Sequence, residues 1–136
     1  MSKRAWIPPV LCAAVITAMS NAFISATSFK GAVGKRLPVP NGQQWFDEFW
    51  SHYWWLFVKG FHFLEFALLF FLLWGALRPR LGIAALLAAL FAMVDEYHQS
   101  FISFRGGRWT DVLIDWAGVA TCAVLVAALA RRHRDA

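Results

Sequence analysis

Four long apolar segments, separated by little more than charged turns, fill most of this chain: residues 6–25, 56–77, 81–99 and 110–130. A soluble domain of 136 residues has too small an interior to hide them all. With 60% of its residues hydrophobic and only 15% charged, the chain reads as a membrane protein. The expected architecture is all-α, a four-span transmembrane helix bundle forming a single domain over residues 1–136, with no internal repeat or second domain.

The basic residues say more about topology than about ligands. Lys3, Arg4, Arg78, Arg80, Arg131, Arg132 and Arg134 sit at segment ends, which argues against a nucleic-acid-binding face. Four spans place all of these on one side, so the positive-inside rule puts both termini in the cytoplasm. The connections at 26–55 and 101–109 then face outward. A cleaved leader is the competing reading of the first segment, because Lys3-Arg4 precedes it and Ser20-Asn21-Ala22 offers small residues for cleavage. Its apolar run is long for such a leader. Cys12 and Cys122 both fall within apolar segments, where a small buried side chain is the ordinary role.

Crossing the hydrocarbon core takes about 20 residues, yet the uninterrupted apolar runs 66–77, 81–94 and 116–130 are shorter. Arginines close their cytoplasmic ends, so each span must be lengthened at its outer end. That draws Lys59, His62 and Glu65 into the second span, Asp95 to Gln99 into the third, and Asp111 and Asp115 into the fourth. At 1.5 Å per residue Glu65 would lie about 14 Å below the start of its span. Ionisable side chains at such depth cost several kcal/mol unless paired or hydrated. Three helices carrying them at one level should therefore turn them toward each other. Lys59, His62 and Glu65 recur at i, i+3, i+6, and Asp95/Gln99 and Asp111/Asp115 are i, i+4 pairs, so each helix has one polar face. The expectation is a wet, charged pocket open to the outer side.

Before the second span, Trp45, Phe46, Phe49, Trp50, Tyr53 and Trp54 follow an i, i+1, i+4, i+5, i+8, i+9 pattern on one helical face. This predicts an aromatic-rich helix lying in the membrane interface between spans one and two. It is either a plain aromatic belt or a lid over the pocket that touches a lipid-linked substrate.

Asp95, Glu96 and His98 have the residue types that general acid–base catalysis near neutral pH needs, and are the candidate catalytic groups. Lys59, His62, Glu65, Gln99, Arg105, Arg108, Asp111 and Asp115 are the candidate substrate-binding residues. Arg105-Gly106-Gly107-Arg108 precedes Thr110, an N-cap candidate, and guanidinium groups beside a helix start suit a phosphate. Asp111 competes for that helix start. His62-x-x-Glu65 and Asp95-x-x-His98 have a spacing that can chelate a metal between helices. The same pairs serve equally as ion pairs, and no His-Glu-x-x-His motif or cysteine ligand set is present, so neither metal nor cofactor is expected. Ser100 and Ser103 lack the Gly-x-Ser-x-Gly turn of a serine nucleophile.

The set Lys59-x-x-His62-Phe63 with Glu65, Asp95-Glu96-x-His98-Gln99-x-Phe101, Arg105, and Asp111-Val-Leu-x-Asp115-x-x-Gly118 resembles the VanZ-like integral membrane proteins. The first span with Ser25 and Ser28 is similar more loosely. That family is named for a glycopeptide-resistance accessory protein associated with teicoplanin. The resemblance implies a small multi-span protein of the bacterial cell envelope, with these charged residues as its functional site near the outer leaflet. The partners it implies are membrane lipids and a lipid-linked cell-wall precursor or lipoglycopeptide; it supplies no reaction. Two further readings stand beside it: a proton- or ion-coupled small transporter built on buried Glu65, Asp95 and Asp115, and a structural protein whose charged network only holds the helices together.

Overall fold

A computed structural model describes residues 3–21, 41–78, 80–102 and 107–135, with side chains as far as Arg132 in the last helix. A 3-10 turn, Lys3–Trp6, leads into α1, Ile7–Asn21; then come α2, Gly42–Leu77, α3, Leu81–Gln99, and α4, Trp109–Asp135. Pro8 and Pro9 fall in the first turn of α1, where backbone N–H groups have no partner within the helix and proline is tolerated. α2 stops at Arg78, whose extended backbone (φ −45°, ψ 132°) is what the proline after it requires. The Arg78 guanidinium folds back over the Trp74 ring, 4.6 Å from its centre.

Among the described residues three helices are long and apolar enough to cross a membrane: Gly42–Leu77, Leu81–Gln99 and Trp109–Arg132. The expected first span is represented by α1, whose 15 residues rise only about 22 Å. That is short of the hydrocarbon core, and residues 22–25 of the expected span lie outside the described residues. The all-α class is as expected; the count of spans among described helices is three with an N-terminal helix packed beside them.

The aromatic segment also differs from expectation. It is no separate interface element but the N-terminal half of α2, a continuous helix of 36 residues and about 54 Å. No glycine or proline occurs from Gln43 to Lys59, so the helix has nothing to stop it where belt passes into span. Rings stack along its surface, Trp45 on Phe49 at 5.5 Å and Trp50 on Phe57 at 5.8 Å. Residues 51–57 are all exposed, whereas from His62 onward α2 buries a regular stripe of Phe66, Leu69, Phe70, Leu73 and Leu77. Among the described residues the second half of α2 supplies its share of the bundle core, while Gly42 and Phe46 are buried in the first half.

α3 meets that stripe with Ala84, Ala88 and Ala92, each fully buried and one helical turn apart. Small side chains allow close helix approach, which in lipid supplies the packing that water would otherwise drive. The same logic brings α4 against α2 at Gly118, where a Cβ would run into the backbone carbonyl of Phe63. Ile16, Val119 and Val126 complete the core, with Cys12 and Cys122 packed at its margin as free thiols. Trp116 ties α4 to α3 by donating its indole N–H to the Ala89 carbonyl (3.1 Å). Leu64, Leu68, Leu86, Val94, Leu113 and Val124 point outward and are 51–67% exposed, the surface a lipid-facing bundle presents. Gly118→Ala should destabilise the bundle by about 1–3 kcal/mol, since the added methyl must push α4 off the α2 backbone. A lowered unfolding temperature of the purified variant in detergent is the expected result.

Candidate functional site

The chain turns so that the basic ends of the helices gather at one end of the bundle and the polar residues at the other. Trp6 shares an apolar cleft with Leu73 and Leu87 toward the first end, while Ser20 and Asn21 meet Asp95 and His98 at the second. There the polar residues divide into two neighbouring groups.

The first group joins α1 to α3. Ser20 is within 2.9 Å of both Asp95 carboxylate oxygens, to which its hydroxyl donates, and the Gln99 amide donates to Asp95 Oδ2 (2.7 Å) and to Ser20 Oγ (3.1 Å). All three residues are buried. Asp95 therefore has its hydrogen bonds supplied locally. His98, next along, is exposed, and its Nε2 lies 3.0 Å from the Asn21 amide oxygen.

The second group joins α2, α3 and α4. Glu96 Oε2 accepts the backbone N–H of Arg108 (3.0 Å), serving the start of α4 from the last turn of α3. Its other oxygen has no hydrogen-bond partner and lies 3.9 Å from His62 Nδ1. Asp115 Oδ1 is 3.3 Å from the same nitrogen. The two are close enough to attract but are not aligned for a hydrogen bond, so both Asp115 oxygens and His62 Nδ1 remain buried without one. At the rim Lys59 pairs with Asp111, whose Oδ1 also accepts the Thr110 hydroxyl (3.1 Å). Gly107 permits this junction: a Cβ there would collide with the Glu96 carbonyl and come within 3.0 Å of the Ser100 amide nitrogen. Between the end of α3 and the start of α4 lies a cleft of ≈ 190 Å³ lined by Met93, Glu96, Tyr97, Arg108, Trp109 and Val112, among others.

The structure thus brings together His62, Glu96 and Asp115, with Lys59 and Asp111 above them. It does not bring Asp95, Glu96 and His98 into one constellation. At about 100° per residue, side chains one and two positions apart on a helix point in different directions. Glu96 faces α2 and α4, Asp95 faces α1, and His98 faces outward. Glu65 is half-buried one turn below His62. The Arg108 side chain is exposed, and it is the backbone N–H that meets Glu96. Arg105 and Ser103 lie outside the described residues. Thr110 is not the residue before the helix, because α4 begins one position earlier, at Trp109.

Ser20 and Asn21 are site neighbours that the charge pattern did not single out. Their signal was present, two adjacent polar residues at the outer end of an apolar run, but a hydroxyl and an amide at a helix end need no partner to be tolerated. A family model, VanZ/LLP1, matches residues 6–130. No curated protein and no solved structure matches the chain.

The two groups should respond differently to loss of charge. Asp115→Asn is expected to hold or raise the unfolding temperature in EDTA-containing detergent buffer, because the amide sheds the desolvation cost of a carboxylate without hydrogen bonds. Asp95→Ala strands Ser20 and Gln99 and should cost about 1–3 kcal/mol. Thermal unfolding of the two variants side by side measures the contrast, and the reverse order would contradict this assignment.

Proposed function

The chain belongs to the VanZ/LLP1 family, and from that premise we propose that it is a four-span membrane protein of the bacterial cell envelope that binds, or modifies by acid–base chemistry, a lipid-linked or amphiphilic substrate. Both termini are cytoplasmic in this reading, and the polar end of the bundle opens at the outer leaflet. The supporting observation is that Glu96 belongs to two places at once. It lines the cleft between α3 and α4, and it carries a buried oxygen without a hydrogen-bond partner beside His62. Carboxylates left in that condition are costly to keep, and such cost is characteristic of functional groups rather than of glue.

The cleft has the mixed character an amphiphile needs. Arg108 is exposed at its mouth and suits a phosphate or carboxylate. Met93 and Val112 line its wall, and Trp109 and Tyr97, 79% and 69% exposed, offer the flat amphipathic surfaces common at a lipid–water boundary. Within the site, His62 takes the place beside Glu96 that spacing alone assigned to His98. A proton can pass between an imidazole and a carboxylate 3.9 Å apart with modest side-chain movement or through one water. The Ser20–Asp95–Gln99 group fits the scaffold role instead, since it has its partners within the chain. The link to lipoglycopeptide resistance follows the same reading: a site at the outer leaflet acts where cell-wall precursors and a lipid-bearing glycopeptide meet.

Binding of a polyprenyl-phosphate amphiphile to protein in nanodiscs tests this. Glu96→Gln and Arg108→Ala should each weaken binding, or slow turnover where turnover is seen, by about tenfold or more, a loss of about 1.4 kcal/mol. Unchanged binding and turnover in both would refute the reading.

A further inference from the structure

We infer that His62, Glu96 and Asp111 form a binding site for one divalent cation that takes mixed nitrogen and oxygen ligands, Zn²⁺ or Mn²⁺, at the polar end of the bundle. The three residues come from three different helices, α2, α3 and α4, and one donor atom from each lies within 4.8 Å of the other two. No single stretch of sequence carries this set. The spaced pairs His62/Glu65 and Asp95/His98 share only His62 with it, and the packing of the helices is what assembles the donors.

Clustered acids alone would not argue for a metal, but two features of this cluster do. Glu96 is 4% exposed and aims an oxygen without a hydrogen-bond partner at His62, whose Nδ1 is likewise buried and without one. Each unmet polar atom carries a desolvation cost that a bound cation would offset. The charge count points the same way. Glu96, Asp111 and the fully buried Asp115 face a single side-chain cation, Lys59, among the described residues here. With these ionised and His62 neutral, as a metal ligand must be, an excess of two negative charges is left, which one divalent ion neutralises.

The donors must draw in from separations of up to 4.8 Å. Donors held at about 2.0–2.2 Å from a metal lie roughly 3.0–3.6 Å from each other. His62 Nδ1 and Glu96 Oε1 are 3.9 Å apart, so a small rotation of Glu96 closes the gap while its other oxygen keeps the Arg108 N–H. Imidazole with carboxylates and no thiolate favours zinc or manganese over copper(I) or a soft site. The inference goes beyond the amphiphile reading and does not depend on it, since a metal can be held with no lipid bound and a lipid with no metal.

The test uses full-length protein with any polyhistidine tag removed, stripped with EDTA and then dialysed against micromolar Zn²⁺ or Mn²⁺. Elemental analysis should find about one ion of at least one of these metals per chain. His62→Gln and Glu96→Gln should each lower retention about tenfold or more, whereas His52→Gln, an exposed histidine on the far half of α2, should leave it unchanged. Wild-type protein retaining less than about a tenth of an ion of either metal, or retention in a folded His62→Gln variant equal to wild type, would overturn the inference. Cobalt(II) titration of wild-type protein supplies a readout that needs no variant: ligand-field bands of a nitrogen–oxygen site are expected, and a spectrum identical to aqueous cobalt would count equally against it. Amphiphile binding measured with and without EDTA separates a failure here from a failure of the proposed function.

Discussion

One carboxylate makes the polar end of this bundle possible. Glu96 stands on the last full turn of α3 and accepts the backbone N–H of Arg108, just ahead of α4. The free N–H groups at a helix start need acceptors, and in the hydrocarbon core, where water is absent, a side chain must supply them. Because the acceptor comes from the neighbouring helix, the bond that satisfies α4 also fixes its position on α3. Gly107 is the steric counterpart, since only a residue without a side chain passes that close to the Glu96 carbonyl. The register of Asp111 and Asp115 against Lys59 and His62 follows from where α4 begins.

Below that junction the bundle depends on smallness rather than bulk. Lipid chains are as apolar as leucine, so there is little hydrophobic gain in pressing one greasy helix on another. Ala84, Ala88 and Ala92 let α3 close on the phenylalanines of α2, and Gly118 does the same for α4. Close approach along the apolar length holds the helices near enough for the Glu96 and Asp115 carboxylates to stand within 4 Å of His62 Nδ1. Packing and charge are thus two ends of the same constraint.

What could be read from the chain beforehand was what carries a high cost. A charge drawn into lipid is expensive, so the short apolar runs were enough to foresee that Lys59, His62, Asp111 and Asp115 would face inward, and the structure does bring Lys59 to Asp111 and His62 to Asp115. Direction around a helix was harder. Asp95, Glu96 and His98 look like one group when written in a row, yet 100° steps send them to three different neighbours. Ser20 and Asn21 escaped notice because a hydroxyl and an amide at a helix end carry no comparable penalty. The length of α2 was harder to read for another reason: an aromatic interface helix and a spanning helix have the same backbone, and nothing in the residues on either side of the Trp55–Leu56 bond distinguishes one continuous helix from two.

That continuity has a mechanical side. Lys59 falls at the midpoint of α2, with the aromatic half on one side and the bundle half on the other. A hinge between the halves would let the aromatic end ride on the lipid surface without disturbing anything below it. An unbroken helix behaves as a lever, so a tilt or a lateral push felt by Trp45, Phe49 or Tyr53 is delivered to Lys59 and, one turn on, to His62. The polar cluster thus shares one continuous element with the aromatic surface rather than standing apart from it.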